Sequence, residues 1–408
     1  MPAVMKGIRV LEVAEHTFVP AASAVLSDWG AEVIKIEPVG RGDAMRGLGR
    51  TGVMDLGGGD VHPLLEHSNR GKQSLALDLA SDEGREILYR LAEVSDVFLT
   101  NKLPRVRREL AIDIDDIRGR NPRIVYVCGS GFGPAGPDAD HGGYDILGYW
   151  CRSGVASGVN APDDEDFISQ PGPAYGDSIG AMTIAGGISA ALFHRERTGE
   201  APLVDVSLLA TGMWAMGAAI ALAGHMGQAW NSGPRGGRTW SNPLARAYRT
   251  KDGRWIQLSC LQAFHYWPAA CAALGCDDLV DDPRFATHED LAANAGTAGE
   301  LLQQTFLERN LAEWAERLRD FRGQWAIVQD TMQIADDPQV QANGYLVEAE
   351  TAGGTRFDLV ASPVQFDRTP APTARAPEFN EHGDAILTDL LGYDWDTVIE
   401  LKLKGAIE

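Results

Sequence analysis

Along the first 130 residues, short apolar runs alternate with segments of helical period. Ile8–Ala14 (IRVLEVA) is mostly apolar, as expected of a strand covered on both faces. A helix near Ala21–Trp29 follows and stops at Gly30. Glu32–Glu37, Ser74–Leu79, Asp96–Thr100 and Ile124–Cys128 read as four further strands. Ser81 stands where an N-cap is needed for a helix running to about Val94. Strands alternating with helices predict an α/β fold with a mostly parallel, doubly wound sheet.

Beyond residue 130 the pattern changes. Ser178–Arg197 is a helical segment rich in small residues, ended by Thr198-Gly199. Val204–Leu208 (VDVSL) is strand-like, and Val206–Pro234 contains no Asp, Glu, Lys or Arg. Val206–Ala223 approaches the length of a membrane span. It is built largely of Ala and Gly and includes Ser207 and Thr211, so it reads as a core or subunit-interface helix. Asn231–Pro243 has the composition of a loop. Tyr248–Thr250 and Trp255–Ser259 flank Lys251-Asp252-Gly253, a hairpin signal. Helical patterns fill Phe264–Leu274 and Leu301–Arg319. The expected organisation is a large domain over 1–200, a linker over 201–229 and a small domain over 230–325. Residues 326–408 form a linker and a C-terminal segment returning to the large domain.

Charge narrows the partners. The 408 residues carry 36 Lys and Arg against 57 Asp and Glu, a net charge of −21. Nucleic acid and anionic membrane select basic surfaces, so neither is an expected partner. The acid is unevenly placed. Residues 1–130 hold 17 basic and 19 acidic side chains, whereas the remainder holds 19 and 38. A small anionic ligand needs only a local basic patch, and Lys102, Arg105, Arg107 and Arg108 supply one within the near-neutral part. Five cysteines with no CxxC predict a reduced, cytoplasmic protein. Glu12 and Glu15 interrupt the apolar run near the N-terminus, which does not read as a signal peptide.

Several familiar signatures are missing. The first strand leads into Glu15-His16-Thr17-Phe18, not into the glycine-rich turn of a dinucleotide site. Gly71-Lys72 is followed by Gln73, so there is no phosphate-binding P-loop, and Gly129–Gly133 leads to Pro134 as an ordinary strand-end loop. Cys128 stands where a nucleophile elbow needs glycine. His62 and His67, five residues apart, read as loop histidines, and no metal cluster is evident.

The segment Pro171–Gly199 carries the candidate chemistry. Asp177 lies between Gly176 and Ser178 where a helix begins. One reading is an N-cap, worth about 1 kcal/mol. The other is a carboxylate nucleophile, ionised by the helix N-terminus and reachable across Gly176. One side chain can do both.

Pro171–Leu208, with Gly-Asp opening a small-residue helix, then ISAALFHRERTG and VDVSL, resembles the class III CoA-transferase family. That family includes formyl-CoA and carnitine CoA-transferases and the related α-methylacyl-CoA racemases. Gly7–Asp43, Asn69–Leu79, Asp96–Asn101, Gly129–Pro137, Asn242–Gly253, Asp337–Gly344 and Ala376–Gly392 continue the resemblance in order along nearly the whole chain. It implies a Rossmann-like large domain with a parallel sheet and a smaller α+β domain. Long linkers join them, and two chains interlock as a homodimer. It also implies coenzyme A or acyl-CoA as substrate, a carboxylic acid as acceptor, Asp177 as nucleophile, and no permanently bound cofactor or metal. The matching CoA contacts are His16, Thr17, Leu77, Asn101, Lys102, Arg105, Arg108 and Tyr144. Gly236 and Gly237 match a glycine loop over the acyl site, here flanked by Arg235 and Arg238.

Some positions depart from the pattern. Pro38 replaces a CoA-contacting arginine, Glu109 replaces a basic residue, and Leu48 replaces the tryptophan that shapes the formyl/oxalyl pocket. The racemases pair the same aspartate with a histidine in a Gly-His-Asp sequence, which here reads Gly143-Tyr144-Asp145. Tyrosine, with a reference pKa of about 10, is a poor proton shuttle beside histidine near 6.5. His141, three residues earlier, is no evident substitute. Acyl-CoA:carboxylate transfer is therefore favoured over the alternatives, an α-methylacyl-CoA epimerase or a non-catalytic acyl-CoA-binding protein.

Overall fold

The computed structural model describes residues 1–48, 59–161, 164–231 and 241–408. It divides into two units, Met1–Ser232 with Pro338–Glu408, and Gly233–Asp337. The first unit is built on six parallel strands: β1 (Arg9–Val13), β2 (Glu32–Pro38), β3 (Gln73–Leu77), β4 (Val97–Thr100), β5 (Val125–Ser130) and β6 (Leu203–Ser207). Their order in the sheet is β3-β2-β1-β4-β5-β6, every neighbouring pair parallel. The predicted strands of the first 130 residues are thus five of the six, and VDVSL supplies the sixth.

Helices cover both faces of this sheet. Those that matter for the site are α1 (Phe18–Asp28), α2 (Pro63–Asn69), α3 (Asp82–Glu93), α4 (Pro104–Glu109), α5 (Tyr175–Thr198), α6 (Leu208–Ala215) and α7 (Gly217–Met226). Because side chains alternate along a strand, each strand feeds two cores. Val10, Val33, Val97, Leu99, Val125 and Val127 pack with residues of α1 and α5. Leu11, Ile34, Leu75, Phe98 and Tyr126 pack on the other face with Ile87, Leu88 and Leu91 of α3 and with Ile386, Leu387 and Ile407. The C-terminal segment therefore completes one face, and Ile407 forms a backbone bridge to Leu77.

The other unit has a three-stranded antiparallel sheet of Ala247–Arg249, Trp255–Leu258 and Trp325–Ile327. Its core holds Tyr248, Trp267, Phe285, Phe306 and Trp314. The predicted hairpin at Lys251-Asp252-Gly253 is present. The predicted helix Leu301–Arg319 is instead two helices, Ala295–Phe306 and Leu311–Leu318, the second opened by a capping box between Asn310 and Glu313.

Three further expectations change. His67 lies on α2 and His62 is its N-cap, with Nδ1 accepting the Leu65 N–H at 3.2 Å, so neither is a loop histidine. The apolar stretch after β6 is not one helix but α6 and α7, bent by 68°. Nor does it all enter the core. No residue of α7 is buried within this chain, and Trp214 on α6 is 88% exposed. Among the described residues, α5 is the single helix long and apolar enough to cross a membrane, and it packs in the core against α1.

Candidate active site

The sheet order reverses between β1 and β4, and ligands of open α/β sheets bind in the crevice at such a switch point. Glu15 and His16 follow β1; Asn101 and Lys102 follow β4. Asn101 ties the two loops together. Its Nδ2 donates to the Glu15 carbonyl at 2.7 Å, and its Oδ1 accepts the Glu15 N–H at 3.2 Å. The Glu15 carboxylate is ion-paired with Lys102 and with Arg41, at 2.6 Å from Nη1, and accepts the Ala44 N–H at 3.2 Å. Burial raises this carboxyl, but Arg41 and Lys102 more than offset it and hold it down at about 2.

His16 has φ of +69°, a left-handed conformation that costs a non-glycine residue about 1 kcal/mol or more. Two contacts hold it there. Its N–H donates to Asp43 Oδ1 at 3.0 Å, and its ring stands edge-on to Tyr144 with centroids 5.4 Å apart. Asp43 is itself paired with Lys35 at 2.7 Å, and Lys35 and Lys72 each reach Glu12 at 2.7 Å. These four side chains are buried, and removing Lys35 would leave Asp43, and removing Glu12 would leave Lys72, without its ion-pair partner. Charged residues of the first and second strands, with Lys72 just before the third, thus support the turn that presents His16.

Two cavities open along this crevice. One, of about 500 Å³, is lined by His16, Asn101, Tyr144, Leu147, Asp177 and Leu208, among others. The second, of about 480 Å³, is lined by Pro38, Arg41, Leu77, Asp78, Leu110 and Gly405, among others. Glu15, Lys102 and Val106 line both, so the two are contiguous at the Lys102 ion pair.

Asp177 enters the first cavity from the first turn of α5. The N-cap is Ala174, at φ +55° and without a side-chain cap bond, so Asp177 lies within the helix and is not its cap. Asp145 caps from outside: its Oδ2 accepts the Gly176 N–H at 3.2 Å and the Gln170 amide at 3.1 Å. The expectation that the helix N-terminus keeps Asp177 ionised is reversed. Burial, and then the charge of Asp145, push its carboxyl up to about 8. Gly176 is also not an open approach for a ligand, because a Cβ there would stand 2.5 Å from Tyr149 Cγ. The glycine admits the Tyr149 ring, and Asp177 is open to the cavity instead.

Residues 5–383 match the model of CoA-transferase family III. The chain belongs to this family. It is 30% identical to (R)-2-hydroxy-4-methylpentanoate CoA-transferase of Clostridioides difficile, covering 98% of both chains. It is 28% identical to cinnamoyl-CoA:phenyllactate CoA-transferase of Clostridium sporogenes, over 97% of this chain and 95% of that one. The crystal structure of a CAIB/BAIF family protein from Brucella suis superimposes with a TM-score of 0.81 at 25% identity, over 96% of this chain and all of that one. The protein is thus an enzyme of the class III CoA-transferase type, with the α/β fold of that family.

Of the residues that the family resemblance singled out, His16, Asn101, Lys102, Tyr144 and Asp177 line one cavity, and Leu77 and Lys102 the other. Thr17 is buried at the start of α1 and lines neither. Arg105 pairs with Glu109 at 3.1 Å, Arg107 with Asp113 at 3.0 Å and Arg108 with Asp140 at 3.8 Å, and none of the three lines either of these two cavities. The basic run is thus largely neutralised by local acids, and Lys102 alone among its four cations reaches the crevice. His141 is held by Asp138 at 3.0 Å and stands outside the Asp177 cavity. Leu48 packs with Met45, Leu65 and Ala376. Gly236, Gly237, Arg235 and Arg238 fall outside the described residues.

Sequence reasoning missed Arg41, Glu15 and Asp145. Arg41 lies three residues after Pro38, the position where an arginine was found wanting, and it restores a cation to that rim. The signal was available as a strand-end arginine displaced along its loop. For Glu15 and Asp145 no local signal exists, since the partners that place them in the site are 25 to 87 residues away along the chain.

Proposed function

We propose that the enzyme moves CoA from an acyl-CoA donor to a carboxylic acid acceptor through covalent intermediates on Asp177. The observation that carries this is the Asp177 carboxyl, half-buried and facing the cavity that joins the switch-point crevice. An Asp177 oxygen attacks the donor thioester carbonyl, and the C–S bond breaks to release CoA thiolate and a mixed anhydride. The thiolate attacks the aspartyl carbonyl, expels the donor carboxylate and leaves an aspartyl-CoA thioester. The acceptor carboxylate attacks that thioester, giving a second anhydride and CoA thiolate. Attack of the thiolate on the acceptor's acyl carbonyl yields the new acyl-CoA and regenerates Asp177. No oxidant, metal or permanent cofactor enters the balance.

The contiguous cavities suit an elongated substrate. Lys102 and Arg41, both presented by Glu15, stand at the junction to meet the phosphates of CoA. Leu77 and Pro38 offer an apolar rim on one side for the nucleotide, and the acyl thioester reaches His16, Tyr144 and Asp177 on the other. In this reading Thr17 shapes the turn before α1, and Arg105 and Arg108 hold Asp140 near the mouth. The protein is a cytoplasmic homodimer, with the exposed apolar faces of α6 and α7 against the partner subunit and no membrane or nucleic-acid partner.

The test is incubation with acyl-CoA followed by hydroxylamine, which converts the aspartyl thioester to a hydroxamate. Mass spectrometry should find it on Asp177 and nowhere in Asp177→Asn. An unmodified Asp177 with a donor that supports exchange excludes the mechanism. 2-Hydroxy-4-methylpentanoate, phenyllactate, glutarate and oxalate, carboxylates in the names of related enzymes, form the acceptor panel.

A further inference from the structure

The first turn of α5 is braced from a direction that the family resemblance does not account for. His67, on α2, places Nε2 3.1 Å from Ser178 Oγ, next in the chain to Asp177. The Ser178 hydroxyl donates to the Ala174 carbonyl at 2.9 Å, which also accepts the Ser178 N–H at 2.9 Å. Ala174 is the left-handed residue that turns the chain into α5. With the hydroxyl hydrogen committed to Ala174, the oxygen turns a lone pair toward the imidazole, and Nε2–H is the donor. His67 is neutral at physiological pH, because burial and the Arg70 charge push it down to about 4. Its helix is fixed in turn: Arg70 donates through Nη1 to the His67 carbonyl at 3.0 Å and pairs with Asp28 of α1 at 2.7 Å.

We propose that His67 is a positioning residue for the Asp177 carboxylate, acting through Ser178. The proposal rests on the reading of Asp177 as nucleophile. His67 does not line the Asp177 cavity, so it touches neither substrate nor the reacting atoms. It holds the strained Ala174 turn closed from the α2 side, while Asp145 holds Gly176 from the other. A non-glycine residue in the left-handed region relaxes when its constraints are removed. Relaxation here moves the carboxylate away from the thioester carbonyl, and displacement of a reacting group by about 1 Å can cost about 100-fold in rate.

Steady-state CoA exchange in four variants tests this. His67→Phe should lower kcat about 10- to 100-fold while leaving KM for acyl-CoA within about threefold, because the substrate groove is untouched. His67→Gln, whose amide N–H reaches the same hydroxyl, should return kcat to within about threefold of the native enzyme. Ser178→Ala should reproduce the His67→Phe loss, and the double variant should be no slower than the slower single one. Ser178→Ala removes one oxygen from a half-buried site, so it carries the test if His67→Phe does not fold. A native kcat in Ser178→Ala, His67→Gln as slow as His67→Phe, or losses that multiply in the double variant would each overturn the proposal. Asp177→Asn separates the two readings. Retained exchange there removes the nucleophile itself, whereas a dead Asp177→Asn beside a native His67→Phe removes the positioning role alone.

Discussion

At Asp177 two opposing influences meet in one side chain. The first turn of a helix favours a negative charge, but desolvation and the Asp145 carboxylate disfavour it and prevail, raising the group from 3.8 to about 8. In the proposed mechanism the attacking species is the ionised form, so kcat/KM for CoA exchange should rise with pH and level off above about 8. A flat profile between pH 6 and 9 would contradict this. The same shift has a consequence for stability. The folded pKa lies above the unfolded one, so burying Asp177 costs nothing while both states are protonated, below about 4, and the cost grows until pH passes about 8. Asp177→Asn, which never ionises, should therefore melt at a higher temperature than the native protein at pH 8, with the gap closing toward pH 4. Asp177 was legible from Gly-Asp at the head of a small-residue helix. Its protonation state was not, because Asp145 is distant in sequence and burial is a property of the packed chain.

The site depends on how closely two helices approach. Gly180 of α5 faces Phe18 of α1, and a Cβ at that glycine would stand 2.3 Å from the Phe18 ring. Phe18 also lines the Asp177 cavity, so this contact sets how far that wall stands from α5. Gly180→Ala overpacks the contact and should destabilise the protein by about 1–3 kcal/mol, read as a lower urea midpoint at unchanged slope. A midpoint equal to that of the native protein would show that α1 has room to move. Element type was largely written in hydrophobic period. Strands β1 to β5 were readable as apolar runs, and the sixth from VDVSL. Element ends were less so. Helix α5 starts at Tyr175, three residues before the Ser178 expected, because a left-handed alanine makes the turn and no residue preference announces it. The break before Leu311 was readable, since Asn310 and Glu313 have the spacing of a capping box, but the apolar period ran across it.

For the molecule as a whole, the uncovered apolar surface is the most consequential feature. Trp214 is 88% exposed on α6, and Met213, Ile220, Leu222 and Met226 are also exposed on the same bent pair of helices. Apolar faces of this kind mark interaction surfaces. The proposed homodimer predicts that Trp214→Glu shifts the protein from dimer to monomer in sedimentation velocity, and an unchanged dimer would place the interface elsewhere. The charge count is also refined. The near-neutral first third carries most of the crevice, but through Lys102 and Arg41 rather than a field of four cations, since Arg105, Arg107 and Arg108 line neither of its cavities. The sequence by itself determined the parallel α/β architecture and the family, and it singled out Asp177 as the candidate, because strand period, motif order and a Gly-Asp helix start are local properties of the chain. Only the tertiary structure decided which cations face the crevice, why Asp177 holds its proton, and that His67 braces the turn before it. Those outcomes depend on burial and on contacts between residues as much as 111 positions apart, which exist only once the strands and helices have packed.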